Sequence, residues 1–265
     1  MNRVLAIALN TFREAVRNKV LYSLLVFAVA MIASVLLLAQ VSLHEESRVT
    51  RDLGLGGIAL FGVLIAIFVG VSLVYKEIDR KTVFALLPKP LHRFEFILGK
   101  FVGMAFTLLI QIALMTAVLF TALSLQGEFS GASAAILIRA IALITVEVMV
   151  ITAVAVFFST FTSPFLSGVF TLAVFIIGRS TPELTELVGK LENPALRFGF
   201  SAALELVPNL HLFYVSGSMV DGHAVSIHAA FVDWAYVGWA AGYGAAWAAV
   251  VLLFSMVVFS RRDFV

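Results

Sequence analysis

The chain has no cysteine and few charged residues. Without thiols there are no disulfides, thiolate metal sites or cysteine nucleophiles, and nothing is implied about compartment. Asp, Glu, Lys and Arg make up 13% of the 265 residues, against about 25% in an ordinary globular domain. Such a chain cannot cover its own surface with water-compatible groups. A Gly-x-x-x-x-Gly-Lys-Ser/Thr loop is also missing: the nearest string, Leu98-Gly99-Lys100-Phe101, lacks the first glycine and the hydroxyl. The chain therefore cannot bind ATP in the P-loop manner. The histidines, His44, His92, His211, His223 and His228, are scattered without a close pair, which argues against a metal site. The net charge of +2 gives no argument for a nucleic-acid partner. The placement of the charges says more than their sum.

What is present is apolar. Hydrophobic residues reach 62%, phenylalanine alone numbers 24, and the mean hydropathy is +1.06, values of a protein whose solvent is mostly lipid. A spanning helix needs about 20 apolar residues. Segments of that kind lie at about 20–41, 53–75, 101–125, 133–159 and 235–260. A shorter one at 162–179 completes an all-α, polytopic transmembrane bundle of about six spans. An even number of spans puts both termini on one side. Lys and Arg fix which side, because they are retained on the cytoplasmic face. Arg3, Arg13, Arg17, Lys19, Lys76, Arg80, Lys81, Lys89, Arg93, Lys100, Arg261 and Arg262 fall on one side, twelve of the eighteen. That side is the cytoplasm. The leading segment is too long for the start of a cleavable signal peptide, and residues 1–41 are expected to be retained.

Residues 1–19 alternate apolar Leu5, Ala8, Leu9, Phe12, Ala15 and Val16 with Arg3, Asn10, Arg13, Glu14 and Arg17 at helical spacing. This pattern predicts an amphipathic helix lying on the inner leaflet of the bilayer. Docking on a cytoplasmic protein is the other reading, and both can hold together. The longest basic loop, 76–100, pairs Glu77 with Lys81 four residues on, which predicts a short helix. Pro88 and Pro90 end it, and 91–98 can resume a helix that runs into the next span. A plain solvated loop that only fixes topology is the competing reading. Residues 180–233 are predicted as extracytoplasmic interfacial or re-entrant helices, the first capped by Thr181 with Pro182 at its first position.

Of the polar side chains inside spans, Gln111, Arg139 and Glu147 are the candidates for a role there. An ionised Glu147 costs roughly 3 kcal/mol on insertion scales, so it is expected to face protein or water. A proton or substrate site is one reading, and a carboxyl satisfied by a neighbouring span such as that of Gln111 is the other. Gly131-Ala132-Ser133 has the Gly-x-Ser form of intramembrane serine proteases, but no histidine lies in a span to activate Ser133.

Taken in order, the features are the basic N-terminal helix Asn10-Thr-Phe-Arg-Glu-Ala-Val-Arg-Asn-Lys-Val-Leu-Tyr22, two spans, the basic loop, four further spans and the tail Arg261-Arg-Asp-Phe264. In the loop, Glu77 through Thr82, Leu86-Leu87-Pro88-x-Pro90, Arg93, Glu95 and Leu98-Gly99-Lys100 form one motif, and Pro208-Asn209 precedes the last span. This arrangement resembles the permease subunits of type-two ABC exporters, in particular the branch that includes the nitrous oxide reductase maturation permease. The resemblance implies a homodimer or a pair of paralogous permeases in a bacterial or archaeal plasma (inner) membrane. It also implies separate ATP-binding cassette subunits that hold the ATP, so that the permease carries no cofactor. In such exporters the loop between the second and third spans docks on the ATPase. Glu77, Arg80, Lys81, Thr82, Pro88, Arg93 and Lys100 would then carry force, not catalysis. An intramembrane enzyme or an ion-coupled carrier using Glu147 is the alternative, though a lone carrier usually shows repeated halves and no motif here occurs twice.

Overall fold

The computed structural model describes residues 3–39, 46–79, 93–127, 131–214, 216–220, 223–226 and 233–260. Long apolar runs become long helices: α2 at Lys19–Ala39, α3 at Glu46–Asp79, α4 at Arg93–Leu125, α5 at Gly131–Ser159 and α9 at Trp234–Ser260. Between the last two lie α6 at Pro164–Arg179, α7 at Thr181–Gly189 and α8 at Pro194–Glu205, and α1 at Arg3–Val16 precedes them all. Among the described residues, four helices are long and apolar enough to cross a membrane alone, and up to six spans result if each of two bent pairs counts as one. One such pair bends by 65° between α1 and α2, the other by 69° between α6 and α7. The protein is a polytopic helical bundle.

At the centre stands α5, which packs against α3, α4, α6 and α9. Leu137, Leu143, Ile144, Val148, Ile151, Ala153 and Val156 on it are all buried, more than one helix face can supply. A helix apolar all round is one that other helices surround. A fully buried polar residue on α5, such as Glu147, must therefore find its partner inside the protein.

The segment 180–233 departs from the expected run of helices. Helices α7 and α8 are present, and Asn193 caps α8 by accepting from the N–H groups of Ala195 at 3.0 Å and Leu196 at 3.4 Å. Thr181 does not cap α7. Its hydroxyl instead donates back to the Gly178 carbonyl at 2.9 Å, because the chain turns into α7 with Thr181 already helical. Beyond a buried 3₁₀ turn at Leu210–Phe213, the strands Ser216–Val220 (β1) and His223–Ser226 (β2) pair antiparallel, Val220 opposite His223. The sequence between the strands is Asp221-Gly222, the dipeptide that most favours a two-residue hairpin connection.

Candidate functional site

The chain leaves the basic loop at Arg93 and enters α4, which continues unbroken to Leu125. On the first turns of α4, Gly99 and Gly103 lie four apart and face α1. A Cβ on Gly103 would stand 2.5 Å from the Ala8 carbonyl oxygen and 2.6 Å from Thr11 Cβ, and one on Gly99 would stand 2.6 Å from Ile7 Cβ. Only glycine permits this approach, and the spacing is the one that brings helix backbones together in membranes. The matching face of α1 is small and buried: Ala8, Thr11 and Ala15. Leu5 and Leu9 stay exposed. The amphipathic N-terminal helix thus puts its small residues on the protein itself and leaves larger apolar ones outward.

Charge reinforces the contact. Lys100, its side chain only 1% exposed, donates from Nζ to Glu14 Oε2 at 3.4 Å, while Glu14 on α1 remains 33% exposed. The ammonium also lies 5.9 Å from the Phe96 ring, which stacks on Phe259 of α9 at 5.5 Å. Arg3 approaches Glu95 at 3.8 Å, and Phe12 meets Phe106 edge-on at 5.1 Å. Helix α1 and the first turns of α4 are held as one unit by backbone proximity, ion pairs and ring contacts.

Of the other loop residues singled out by sequence, Glu77 lies in the last turn of α3 and Arg93 is the first residue of α4. Arg80, Lys81, Thr82 and Pro88 lie outside the described residues.

The three polar candidates within spans have separate environments. Arg139 Nε donates to the Ala135 carbonyl one turn back at 3.2 Å. Gln111 is buried, and its amide has no hydrogen bond to any described residue. Glu147 is fully buried and lies 3.6 Å from Arg179 at the end of α6. Its partner is thus the short fifth span, not the one that carries Gln111. Arg179 in turn covers the Tyr214 ring at 4.4 Å and the Phe175 ring at 5.5 Å.

Around that pair the chain re-enters the bundle. At Gly178 a Cβ would meet the Pro208 carbonyl oxygen at 2.5 Å, so glycine lets the Pro208-Asn209 corner close on α6. Asn209 accepts from the His211 N–H at 3.1 Å and donates its own N–H to Tyr243 Oη at 2.9 Å. Tyr236 Oη donates to the Leu212 carbonyl at 2.8 Å. Two tyrosines of α9 therefore satisfy the backbone of a buried 3₁₀ turn and the residue before it, as the low-dielectric interior requires. Sequence reading singled out neither Glu14 nor Arg179 as a partner. The spacing of Gly99 and Gly103 is a signal of a close helix contact on α4 that the sequence reading did not use, whereas the meeting of Glu147 with Arg179 has no sequence signal because it depends on which helices are neighbours.

Compared with known proteins, residues 5–264 match the family model described as ABC-2 family transporter protein. No curated protein matches the chain.

Proposed function

The chain belongs to the ABC-2 transporter family, and from that premise we propose that it is the membrane-spanning permease subunit of an exporter driven by a separate ATP-binding subunit. The observation that carries the reading is the clamp of α1 on α4. A helix that begins at the end of the basic loop, runs unbroken into the bundle and is fixed to a second helix can transmit a displacement instead of absorbing it. When the partner ATPase closes on the 76–100 loop, α4 and α1 shift together against α5, and access alternates between the two sides. Arg93 opens the lever, and Lys100 fastens it to Glu14. Glu77, Arg80, Lys81, Thr82 and Pro88 supply the docking surface.

The missing P-loop supports this division of labour, with ATP held by the partner. The basic-residue count supports a bacterial or archaeal inner membrane with both termini in the cytoplasm, and the loop motif supports the nitrous oxide reductase maturation branch. A second permease copy, identical or paralogous, completes the pathway. The pairing of Glu147 with Arg179 favours a structural carboxylate over an enzyme or a lone ion-coupled carrier.

The test is co-expression with the ATP-binding subunit encoded beside this chain, followed by purification in detergent through a tag on the permease. A stoichiometric complex with ATPase activity is expected. A permease that purifies alone, or a genome neighbourhood without such a subunit, overturns the proposal.

A further inference from the structure

Helices α7 and α8 bury none of their residues, yet with α9 they line an open cleft of about 540 Å³. That volume lies within the roughly 300–1,000 Å³ of small-molecule sites. The walls combine Thr181 and Thr185 of α7, Ser201 and Glu205 of α8, and Tyr243 and Trp247 of α9.

Three features fix the chemistry that would suit it. First, Glu205 is the only charged residue among the described residues of the lining. Second, the hydroxyls of Thr181 and Thr185 already donate to the carbonyls of Gly178 at 2.9 Å and Thr181 at 2.8 Å, so what they can offer a ligand is lone pairs. Third, Tyr243 and Trp247 end a run of four rings on α9. Tyr236 contacts Trp239 at 6.2 Å, Trp239 stacks on Tyr243 at 6.2 Å, and Tyr243 meets Trp247 at 6.5 Å. A carboxylate, acceptor hydroxyls and electron-rich ring faces all attract positive charge. Val188, Leu204 and Val207 add apolar surface, and Asn209, whose Oδ1 already accepts from the His211 N–H at 3.1 Å, completes the lining.

We propose that this cleft binds an organic cation carried on an apolar body, with the charge at Glu205 and Trp247 and the body against Val188, Leu204 and Val207. As a cargo class, this deepens the transport reading above and rests on it. As a binding site, it stands on the cleft alone. The shared chemistry fits either a free lipophilic cation or the ammonium headgroup of a lipid.

The experiment uses the full-length chain in phosphatidylglycerol nanodiscs, with empty discs subtracted. Binding of tetraphenylphosphonium is compared with that of tetraphenylborate, which has the same shape and the opposite charge. Saturable binding of the cation only is expected, weakened about tenfold by Glu205→Gln and several-fold by Trp247→Leu, with Trp247→Phe retaining most of it. Added phosphatidylethanolamine that competes identifies a lipid headgroup as the occupant, and lack of competition identifies a free cation. Equal binding of cation and anion, or binding unchanged by Glu205→Gln, overturns the site. Co-purification of the ATP-binding subunit is read on the same preparation. A retained partner without Glu205-dependent binding removes the site and leaves the coupling reading, and the reverse result removes the coupling reading and leaves the site.

Discussion

Among the described residues, two acid–base pairs with one member almost fully buried tie helices together, and they are built in opposite senses. Where α1 meets α4, the base is buried and the acid half open: Lys100 is 1% exposed and Glu14 33%. Where α5 meets α6, the acid is buried and the base partly open: Glu147 is 0% exposed and Arg179 23%. A buried charge that loses its partner is left uncompensated in low dielectric, whereas an outer charge that loses its partner falls back on solvent or lipid headgroups. In each pair, loss of the outer member is therefore expected to cost more than replacement of the buried one by a neutral side chain. The contacts around the pairs differ as well. Glycine spacing and near-contact of backbones surround the first, and a re-entrant turn held by tyrosine hydroxyls surrounds the second.

The most disruptive change expected is Gly103→Val, which drives Cβ into the Ala8 carbonyl and Thr11. Because the chain has no native cysteine, a single Thr11→Cys reports the outcome without background. Maleimide labelling of that buried position is expected to rise by about tenfold or more when Gly103→Val is added, an opening that corresponds to more than 1.4 kcal/mol. Unchanged labelling would mean that α1 is held by something other than backbone proximity.

Next in size is the asymmetry of the α5–α6 pair. Arg179→Ala is expected to destabilise the protein by roughly 3 kcal/mol, and Glu147→Gln by only about 1 kcal/mol. Thermal unfolding in detergent checks the ranking, and transport by Glu147→Gln should persist. Transport abolished by Glu147→Gln with the stability intact would turn the structural carboxylate into a functional one.

The α1–α4 pair gives the same contrast at smaller scale, because Glu14 is partly solvated. Glu14→Ala should cost about 2 kcal/mol, and Lys100→Met, which replaces a buried ammonium by an apolar chain of similar length, about 1 kcal/mol or less. Equal costs in either pair would remove the opposite-sense description.

Much of the bundle was legible in the sequence because it rests on run length. The segments at 53–75, 101–125, 133–159 and 235–260 each exceed the bilayer requirement, and α3, α4, α5 and α9 occupy them. The all-helical class followed from the same runs. The hairpin at Ser216–Val220 and His223–Ser226 was missed although Asp221-Gly222 announces it, since a flanking strand of four or five residues is too short to show alternation. The role of Thr181 was misjudged because a cap and a back-bonding hydroxyl use the same residue type. For the site, sequence could mark Glu147 and Lys100 as costly in lipid but not name Arg179 and Glu14. A partner across helices is decided by packing, and no local spacing encodes it.

The central claim is that the loop ending at Arg93 receives force from a partner ATPase. Arg93→Glu, introduced into the permease and co-expressed with the ATP-binding subunit, tests it most directly. The account predicts that the variant inserts into the membrane at the wild-type level while recovery of the ATPase through the permease tag falls by about tenfold, the scale expected when one interfacial charge is reversed. Recovery of the ATPase and transport both at wild-type levels would contradict it.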